Sequence, residues 1–208
     1  KITILYGGGT IHAHDELLEV AGLLNARMVH TVRSKEIIDN NSPHYAGGIG
    51  FKGSKNGCHS VKDCDALLIV GCSFAWREFY PESVPIIQID LESQRIGIHA
   101  HVALGLIGDA RLTLQAMAKQ LTQKTDDSFL KKAQKTHANA IKMLNKQAEE
   151  KKGKGISSPL LTRIISDHLS DDAVVSVDAG GVTVWANNWL RLNGKQRMVM
   201  STELGTMG

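Results

Sequence analysis

The residues best suited to chemistry in this sequence are glycines and polar side chains that directly follow apolar segments. Gly7-Gly8-Gly9-Thr10 follows one such segment and precedes a stretch with helical periodicity. Glycines at this point let backbone N–H groups approach a diphosphate, and the start of a helix favours negative charge. A bare tight turn fits equally well, because His12 stands where the full dinucleotide fingerprint has its third glycine.

Other segment ends carry groups that could contact a nucleotide. Arg33 could stack on a flat ring or pair with a phosphate, and a plain surface arginine fits as well. Asp90 and Asp109 could each accept hydrogen bonds from ribose hydroxyls or cap a helix. Six further candidates also lie at or just after the ends of apolar segments: Cys72, Ser73, Phe74, Ala75, Leu91 and Glu92. Each is ambiguous alone, but their shared placement favours an adenine dinucleotide.

The last fifty or so residues repeat the pattern twice. Gly180 and Gly181 join an apolar run to a helical one, a geometry that could cradle a phosphate. Gly205, Thr206 and Met207 follow another apolar run. Glycines on both sides of the Thr-Met pair would bring backbone groups and one bulky apolar side chain close to a ligand.

Other classes of function find little support. Neither His12 and His14 nor His99 and His101 have a cysteine or carboxylate at zinc-like spacing, so we predict no metal site. The net charge of +3 is too small to indicate binding to nucleic acid. Three cysteines in an odd, sparse pattern suit a reducing compartment, and no apolar run reaches the roughly 18 residues of a membrane span. We therefore predict a cytoplasmic protein.

Short apolar segments alternate with helical periodicity over residues 1–121. Ile2–Tyr6, Ala66–Val70 and Ile86–Asp90 predict strands that are buried on both faces, and His14–Leu24 predicts a helix. The remaining elements predicted here are strands at Arg27–Val32 and Leu104–Asp109 and a helix at Ala110–Leu121. Helices between buried strands favour a parallel sheet with right-handed crossovers. The prediction is an α/β fold with a doubly wound, Rossmann-like parallel sheet.

The rest of the chain predicts a connection and an incomplete second α/β unit. Residues 122–155 contain one amphipathic helix with a solvated lysine face and end in a lysine- and glycine-rich linker. Residues 156–208 predict a helix capped by Ser157 or Ser158, followed by a strand at Val174–Val177, a helix at Val182–Leu192 and a strand at Met198–Met200. About fifty residues bury too little apolar surface to fold unaided. The abrupt ends lead us to expect a piece of a longer chain.

Taken together, these motifs resemble a known family. Residues 177–186, followed by Gly-Thr-Met-Gly at 205–208, resemble the start of the diphosphate-binding domain of thiamine diphosphate enzymes. Residues 71–81, 87–90 and 108–109 resemble the middle domain of the pyruvate oxidases, in particular the flavin-dependent, quinone-linked type. Arg33-Ser34-Lys35-Glu36 resembles the arginine-glycine-lysine-glutamate turn of that family, with Ser34 as the departure; Ala75-Trp76 stands where we expect proline.

This resemblance implies cofactors and a reaction. It implies an FAD site at residues 7–9, 33, 72–75, 90–92 and 109, and thiamine diphosphate contacts at 205–207, where Met207 would bend the cofactor. The implied enzyme decarboxylates pyruvate, a 2-oxo acid, and passes electrons to FAD and then to a quinone or another acceptor. The family's activating glutamate would precede residue 1 and its magnesium ligands would follow residue 208. We therefore expect these residues alone to be inactive.

Two rival functions remain open. An acetolactate synthase-type carboligase has the same layout with FAD in a non-redox role, although residues 77–81 and the arginine turn favour the oxidase. A non-catalytic module for NAD or ADP would need no second glycine-rich part at 177–208. The resemblance also implies a homodimer or homotetramer, because two chains share each thiamine site, and peripheral membrane association through a region outside these residues.

Overall fold

Six parallel strands form the main sheet of the protein. A computed structural model describes residues 1–150 and 155–200. The strands are β1 Ile2–Tyr6, β2 Arg27–His30, β3 Tyr45–Gly48, β4 Ala66–Val70, β5 Ile86–Asp90 and β6 Leu104–Ile107. Their order is β3-β2-β1-β4-β5-β6, and all pairs are parallel. The carboxyl ends of β1 and β4 therefore flank a topological switch point, and the predicted Rossmann-like α/β fold is confirmed.

Helices cover both faces of this sheet because side chains alternate along each strand. Helices α1 (His14–Leu24) and α3 (Ala110–Ala118) pack on the face that carries Ile4 and Met28. Helix α2 (Lys55–Lys62) packs on the opposite face, which carries Leu5 and Val29. Strand β6 lies at the edge, and Leu104 and Ile107 are 51% and 67% exposed. The burial on both faces that the sequence predicts for β1, β4 and β5 therefore does not extend to β6.

Helix α4 (Ser128–Glu149) is held firmly on the sheet at its amino end. Phe129 and Leu130 are buried, and the helix contacts α2 and β3. The guanidinium of Arg27 lies 3.3 Å from the centroid of the Phe129 ring and also donates to the Phe129 carbonyl. Within the predicted connection, this end of the helix is thus part of the core of the first unit.

The second unit is smaller and less covered. It contains α5 (Ser158–Asp167), β7 (Val174–Val177), α6 (Gly181–Trp189) and β8 (Arg197–Met200), with β7 and β8 paired in parallel. The hydroxyl of Ser157 accepts from the Leu160 N–H at 3.3 Å, so Ser157 rather than Ser158 caps α5. Among residues 155–200, the buried apolar cluster has five members, which are Val177, Ala186, Leu190, Leu192 and Met198.

The main differences from the sequence predictions are two missed elements and several helix and strand ends. Sequence reasoning did not find β3 or α2. Strand β2 ends at His30 instead of Val32, and α6 ends at Trp189 instead of Leu192. In the described ranges, no helix combines the length and the hydropathy that a membrane crossing requires.

Candidate functional site

A cleft of about 260 Å³ lies at the carboxyl ends of β4, β5 and β6. Parallel strands bring their carboxyl ends to one edge of a sheet, which is where such folds bind ligands. The residues that line the cleft are Gly9, Gly71, Cys72, Ser73, Ile89, Asp90, Leu91, Glu92, Arg95, Gly108, Asp109 and Ala110. The structure thus brings together seven of the predicted residues: Gly9, Cys72, Ser73, Asp90, Leu91, Glu92 and Asp109.

Two carboxylates are arranged along one side of this cleft. Asp90 is 7% exposed, and its Oδ1 accepts from the N–H of Glu92 at 3.0 Å. The Glu92 carboxylate pairs with Arg95 Nε at 3.0 Å, and the hydrogen bond from Arg95 lowers the pKa of Glu92. Leu91, between the two acids, is 70% exposed. Such a side of the cleft offers hydrogen-bond acceptors for hydroxyl groups and an apolar surface for a flat ring.

Asp109 has the second of the roles that its position allowed. Its Oδ1 accepts from the Leu112 N–H at 3.0 Å and so caps α3. An N-cap carboxylate satisfies one of the unpaired N–H groups at the start of a helix and interacts favourably with the helix dipole. Asp109 remains on the wall of the cleft, but the hydrogen bond that its side chain makes in the structure stabilises the start of α3.

The glycine-rich turn at residues 7–9 is shaped by close packing against the end of β4. A Cβ on Gly7 would lie 2.5 Å from the Gly71 carbonyl oxygen, and a Cβ on Gly9 would lie 2.9 Å from the Gly71 Cα. The N–H groups of Gly7, Gly9 and Thr10 all donate to backbone carbonyls at 3.0–3.1 Å. For Gly8, no such bond is found within the described residues, and a Cβ there would meet open space. Gly8 is therefore the amide of this turn best placed for an anion.

Besides Gly7 and Gly8, three predicted residues of the first unit lie outside the lining of the cleft. Phe74 is 5% exposed and packs in the core, where the Tyr80 hydroxyl donates to its carbonyl at 2.7 Å. Ala75 is exposed on the loop that follows. Arg33 is exposed on the short turn Val32–Ser34, which contacts the turn Gly8–Thr10. Arg33 thus belongs to a turn that is adjacent to the glycine-rich turn, and it does not line the cleft.

The remaining predicted residues belong to the second unit. Gly180 has φ +115° and ψ −147°, a conformation that is essentially restricted to glycine. Gly180 and Gly181 are exposed at the start of α6, and a Cβ on Gly180 would meet nothing within 4 Å. This helix start is open to an anion. Gly205, Thr206 and Met207 lie outside the described residues.

Sequence reasoning missed Arg95, the one arginine in the lining of the cleft. Arg95 ends the short turn Ser93–Arg95 and meets Glu92 across three positions. An acid and a base at that spacing just after a strand end were a usable signal. Among residues 1–150 and 155–200, no group of three or more His, Cys, Asp or Glu side chains is placed to hold a metal ion.

Comparison with known proteins gives the family. The central domain of thiamine pyrophosphate enzymes matches residues 1–117, and the chain belongs to this family. The Bacillus subtilis (strain 168) protein YdaP, described as thiamine pyrophosphate-containing, is 32% identical over 212 residues, covering 100% of this chain and 36% of YdaP.

Two other relatives have different activities in their names. Pyruvate oxidase of Lactiplantibacillus plantarum is 24% identical over 99% of this chain and 34% of its own length. The large subunit of acetolactate synthase isozyme 2 of Escherichia coli (strain K12) is 27% identical over 99% of this chain and 37% of its own length. The chain thus spans about a third of the length of these relatives. The resemblance to thiamine diphosphate enzymes is confirmed, and these relatives favour neither the oxidase nor the carboligase.

Proposed function

We propose that this chain supplies the FAD-binding domain and the first part of the thiamine diphosphate-binding domain of an enzyme that oxidatively decarboxylates pyruvate. A quinone or another acceptor would receive the electrons. The observation that supports the cofactor is the cleft, in which the Asp90 carboxylate is nearly buried at the carboxyl end of β5. The supporting evidence for thiamine diphosphate is membership of the family.

The residues of the cleft fit the nucleoside half of FAD. At about 260 Å³, the cleft is slightly below the roughly 300–1,000 Å³ of small-molecule pockets, so it suits one half of a dinucleotide. Asp90 and Glu92 would accept hydrogen bonds from ribose hydroxyls, and the exposed Leu91 side chain would contact the base. The Ser73 hydroxyl and the Gly8 N–H would donate to the diphosphate, toward which the nearby Arg33 would contribute positive charge.

In this proposal, the cofactors supply the reaction chemistry and the residues of the chain hold the cofactors in place. When bound, thiamine diphosphate stabilises a carbanion and FAD accepts electrons, with magnesium held by residues outside this chain. The described residues would bind and orient the cofactors. The carboxylates of the cleft would accept hydrogen bonds from hydroxyl groups of FAD, and the open start of α6 at Gly180 and Gly181 would bind an anionic group. The substrate would be a small 2-oxo acid, and no described surface leads us to propose nucleic acid as a partner.

The carboligase reading remains as the second candidate because an acetolactate synthase is among the relatives. Residues 77–81, which favour the oxidase by resemblance, hold the loop after β4 in the structure: Arg77 donates to the Ile98 carbonyl at 3.1 Å. The product formed by the full-length enzyme from pyruvate separates the two, since an oxidase forms acetate or an acetyl derivative and a carboligase forms acetolactate. We further propose that the full-length enzyme is a cytoplasmic homodimer or homotetramer that associates peripherally with membranes through a region outside these residues. Sedimentation of the full-length enzyme with and without vesicles would test both parts.

FAD binding by the 208-residue chain tests the proposal directly. We expect FAD fluorescence to be quenched when the protein is titrated into an FAD solution. Asp90→Asn should weaken FAD binding about tenfold, because the substitution removes a charge-assisted hydrogen bond between the Asp90 carboxylate and a ribose hydroxyl. Asp167→Asn, at the exposed end of α5, is the matched control and should leave affinity unchanged. Displacement of FAD by NAD at equal concentration would instead support the non-catalytic module, and unchanged affinity of Asp90→Asn would remove the assigned cleft. No dye reduction with pyruvate is expected from the chain alone.

A further inference from the structure

The segment 35–40, which we call the docking segment, joins the two units of the protein. The Asn40 N–H donates to the Leu192 carbonyl at 2.8 Å, and the Leu192 N–H donates to Asn40 Oδ1 at 3.1 Å. Glu36, 6% exposed, accepts from Arg197 Nε at 2.9 Å and from the Met198 N–H. The second unit is thus bound along its 187–198 stretch by the loop that directly follows Arg33.

Lys35 makes the most unusual contact of the docking segment. Its side chain is buried, with 3% of the residue exposed, and Nζ donates to the Asn187 carbonyl at 2.7 Å. Asn187 lies in the last turn of α6, where carbonyl groups have no partner within the helix. A lysine at this end satisfies such a carbonyl and, when charged, interacts favourably with the negative end of the helix dipole. Lys35 therefore caps a helix of the other unit.

The opposite end of α6 carries the Gly180–Gly181 turn, which is exposed. A nine-residue helix is rigid, so the contact that holds its carboxyl end also sets the direction of its amino end. We propose that Lys35 is a positioning residue, which caps the carboxyl end of α6 and thereby sets how the Gly180–Gly181 turn is presented to the main sheet. The proposal goes beyond the proposed function, since it holds for any ligand of that turn.

The surroundings of Lys35 are basic, and this gives the contact a testable pH dependence. His30 at the end of β2, His137 on α4 and Arg191 after α6 all interact electrostatically with Lys35 or lie near it, whereas the acid next to it in sequence, Glu36, is paired with Arg197. Burial, with a smaller effect of Arg191, lowers the pKa of Lys35 to about 7. A lysine released to water regains a pKa of about 10.4. The docked state therefore binds fewer protons between these values, and docking strengthens as pH rises above 7.

Hydrogen exchange of Lys35→Met against the unchanged chain tests this inference. Between about pH 7 and about pH 8.5, an imidazole with the ordinary pKa of about 6.5 is already mostly neutral, so Lys35 is the main group at this contact that titrates. We expect protection of the α6 amides to increase about tenfold in the unchanged chain over this interval relative to Lys35→Met. Amides of β1 and β4 that exchange by local opening, with α6 still docked, should show no such difference. Lys52→Met is the matched control, because Lys52 is exposed and meets the Asn187 side chain only through its backbone carbonyl.

Each alternative outcome counts against the proposal. A loss of protection in α6 that is the same at both pH values would show that the side chain only fills space. A loss spread equally over β1, β4 and α6 would indicate general stability instead of positioning. If Lys35→Met does not fold, the unchanged chain decides by itself: α6 protection that does not rise with pH relative to β4 overturns the inference, and a rise of about tenfold supports it. FAD affinity plays no part in either result, so failure here leaves the proposed function intact.

Discussion

The turn after β1 and the turn after β7 have the same sequence pattern and different structures. Both follow an apolar strand, contain consecutive glycines and lead toward a helix. In the first turn, Gly7 and Gly9 are required because the end of β4 lies against them. In the second, Gly180 is required by its positive φ, and the space around it is open. Consecutive glycines after a strand therefore indicate either close packing or an open turn with positive φ, and only the tertiary neighbours decide which.

The two units also differ in how completely their strands are buried. In the main sheet, Ile4 and Leu5 of β1 are fully buried because helices cover both faces. In the smaller sheet, Val174 of β7 and Val199 of β8 are 67% and 45% exposed. The first unit thus has a complete core of its own, whereas the described part of the second depends on α4 and the docking segment for support. Stability of the whole should be governed by the first unit.

The largest expected effect comes from Gly7→Ala, which breaks the packed turn. The added methyl group would lie 2.5 Å from both the Gly71 carbonyl oxygen and the Cys72 Cβ, so two strand ends must separate. We expect a loss of about 3 kcal/mol in the free energy of unfolding, measured with urea. Gly8→Ala is the control, because a Cβ there meets open space, and it should change stability by less than about 0.5 kcal/mol. Equal effects of the two substitutions would show that the turn is not packed against β4.

An intermediate effect is expected from acid, which acts on the buried imidazole of the first unit. His30 Nδ1 lies 2.8 Å from the Thr31 carbonyl and must donate to it, so Nε2 accepts from the Tyr45 hydroxyl at 2.9 Å. Burial, together with Lys35, lowers the pKa of His30 to about 3. The unfolded chain takes up this proton near pH 6.5 and the folded chain does not. The contribution of His30 to stability is therefore complete above about pH 6.5, and below that pH it falls by about 1.4 kcal/mol per pH unit.

Urea unfolding between about pH 5 and about pH 6.5, below the range in which Lys35 titrates, would measure this slope. His30→Gln should flatten it, because the amide retains a donor and an acceptor without a proton to gain. His168→Gln provides the contrast from the second unit, since His168 is exposed at the end of α5 and should leave the profile unchanged. An unaltered slope in His30→Gln would assign the acid sensitivity to other groups.

Sequence alone predicted the elements whose residues have one clear period. Strands β1, β4, β5 and β7 and helix α1 begin and end where the apolar pattern does. Strand β3 was missed because Gly47 and Gly48 replace the expected apolar residues: a Cβ on Gly48 would lie 2.8 Å from the His30 ring. Helix α2 was missed because Gly57, a poor helix former, lies within it. A Cβ on Gly57 would clash with the carbonyl oxygen of Gly48, so in both cases a tertiary contact requires glycine against local propensity.

The candidate site was likewise predictable only in part. The strand-end rule identified Asp90, Leu91 and Glu92, since in a parallel sheet those ends share one edge. It could not show that Phe74 packs into the core, because the direction of a loop side chain depends on neighbours distant in sequence. Nor could it show that Lys35, two positions after a predicted ligand-binding arginine, reaches Asn187 in the last turn of α6, 152 positions away.

The smallest of the expected effects, from Gly180→Ala, tests the open turn and completes the comparison with Gly7. Here the methyl group meets no atom within 4 Å, so the cost comes from backbone strain alone. An L-residue at φ +115° and ψ −147° costs on the order of 1–2 kcal/mol, and an exposed turn can relax part of it. We expect the free energy of unfolding, measured with urea, to fall by about 1 kcal/mol or less. The hydrogen-exchange rate of the first amides of α6 should rise, and that of the β1 amides should not. A cost as large as that of Gly7→Ala would mean that this turn, too, is packed, and that the two glycine patterns have the same physical origin.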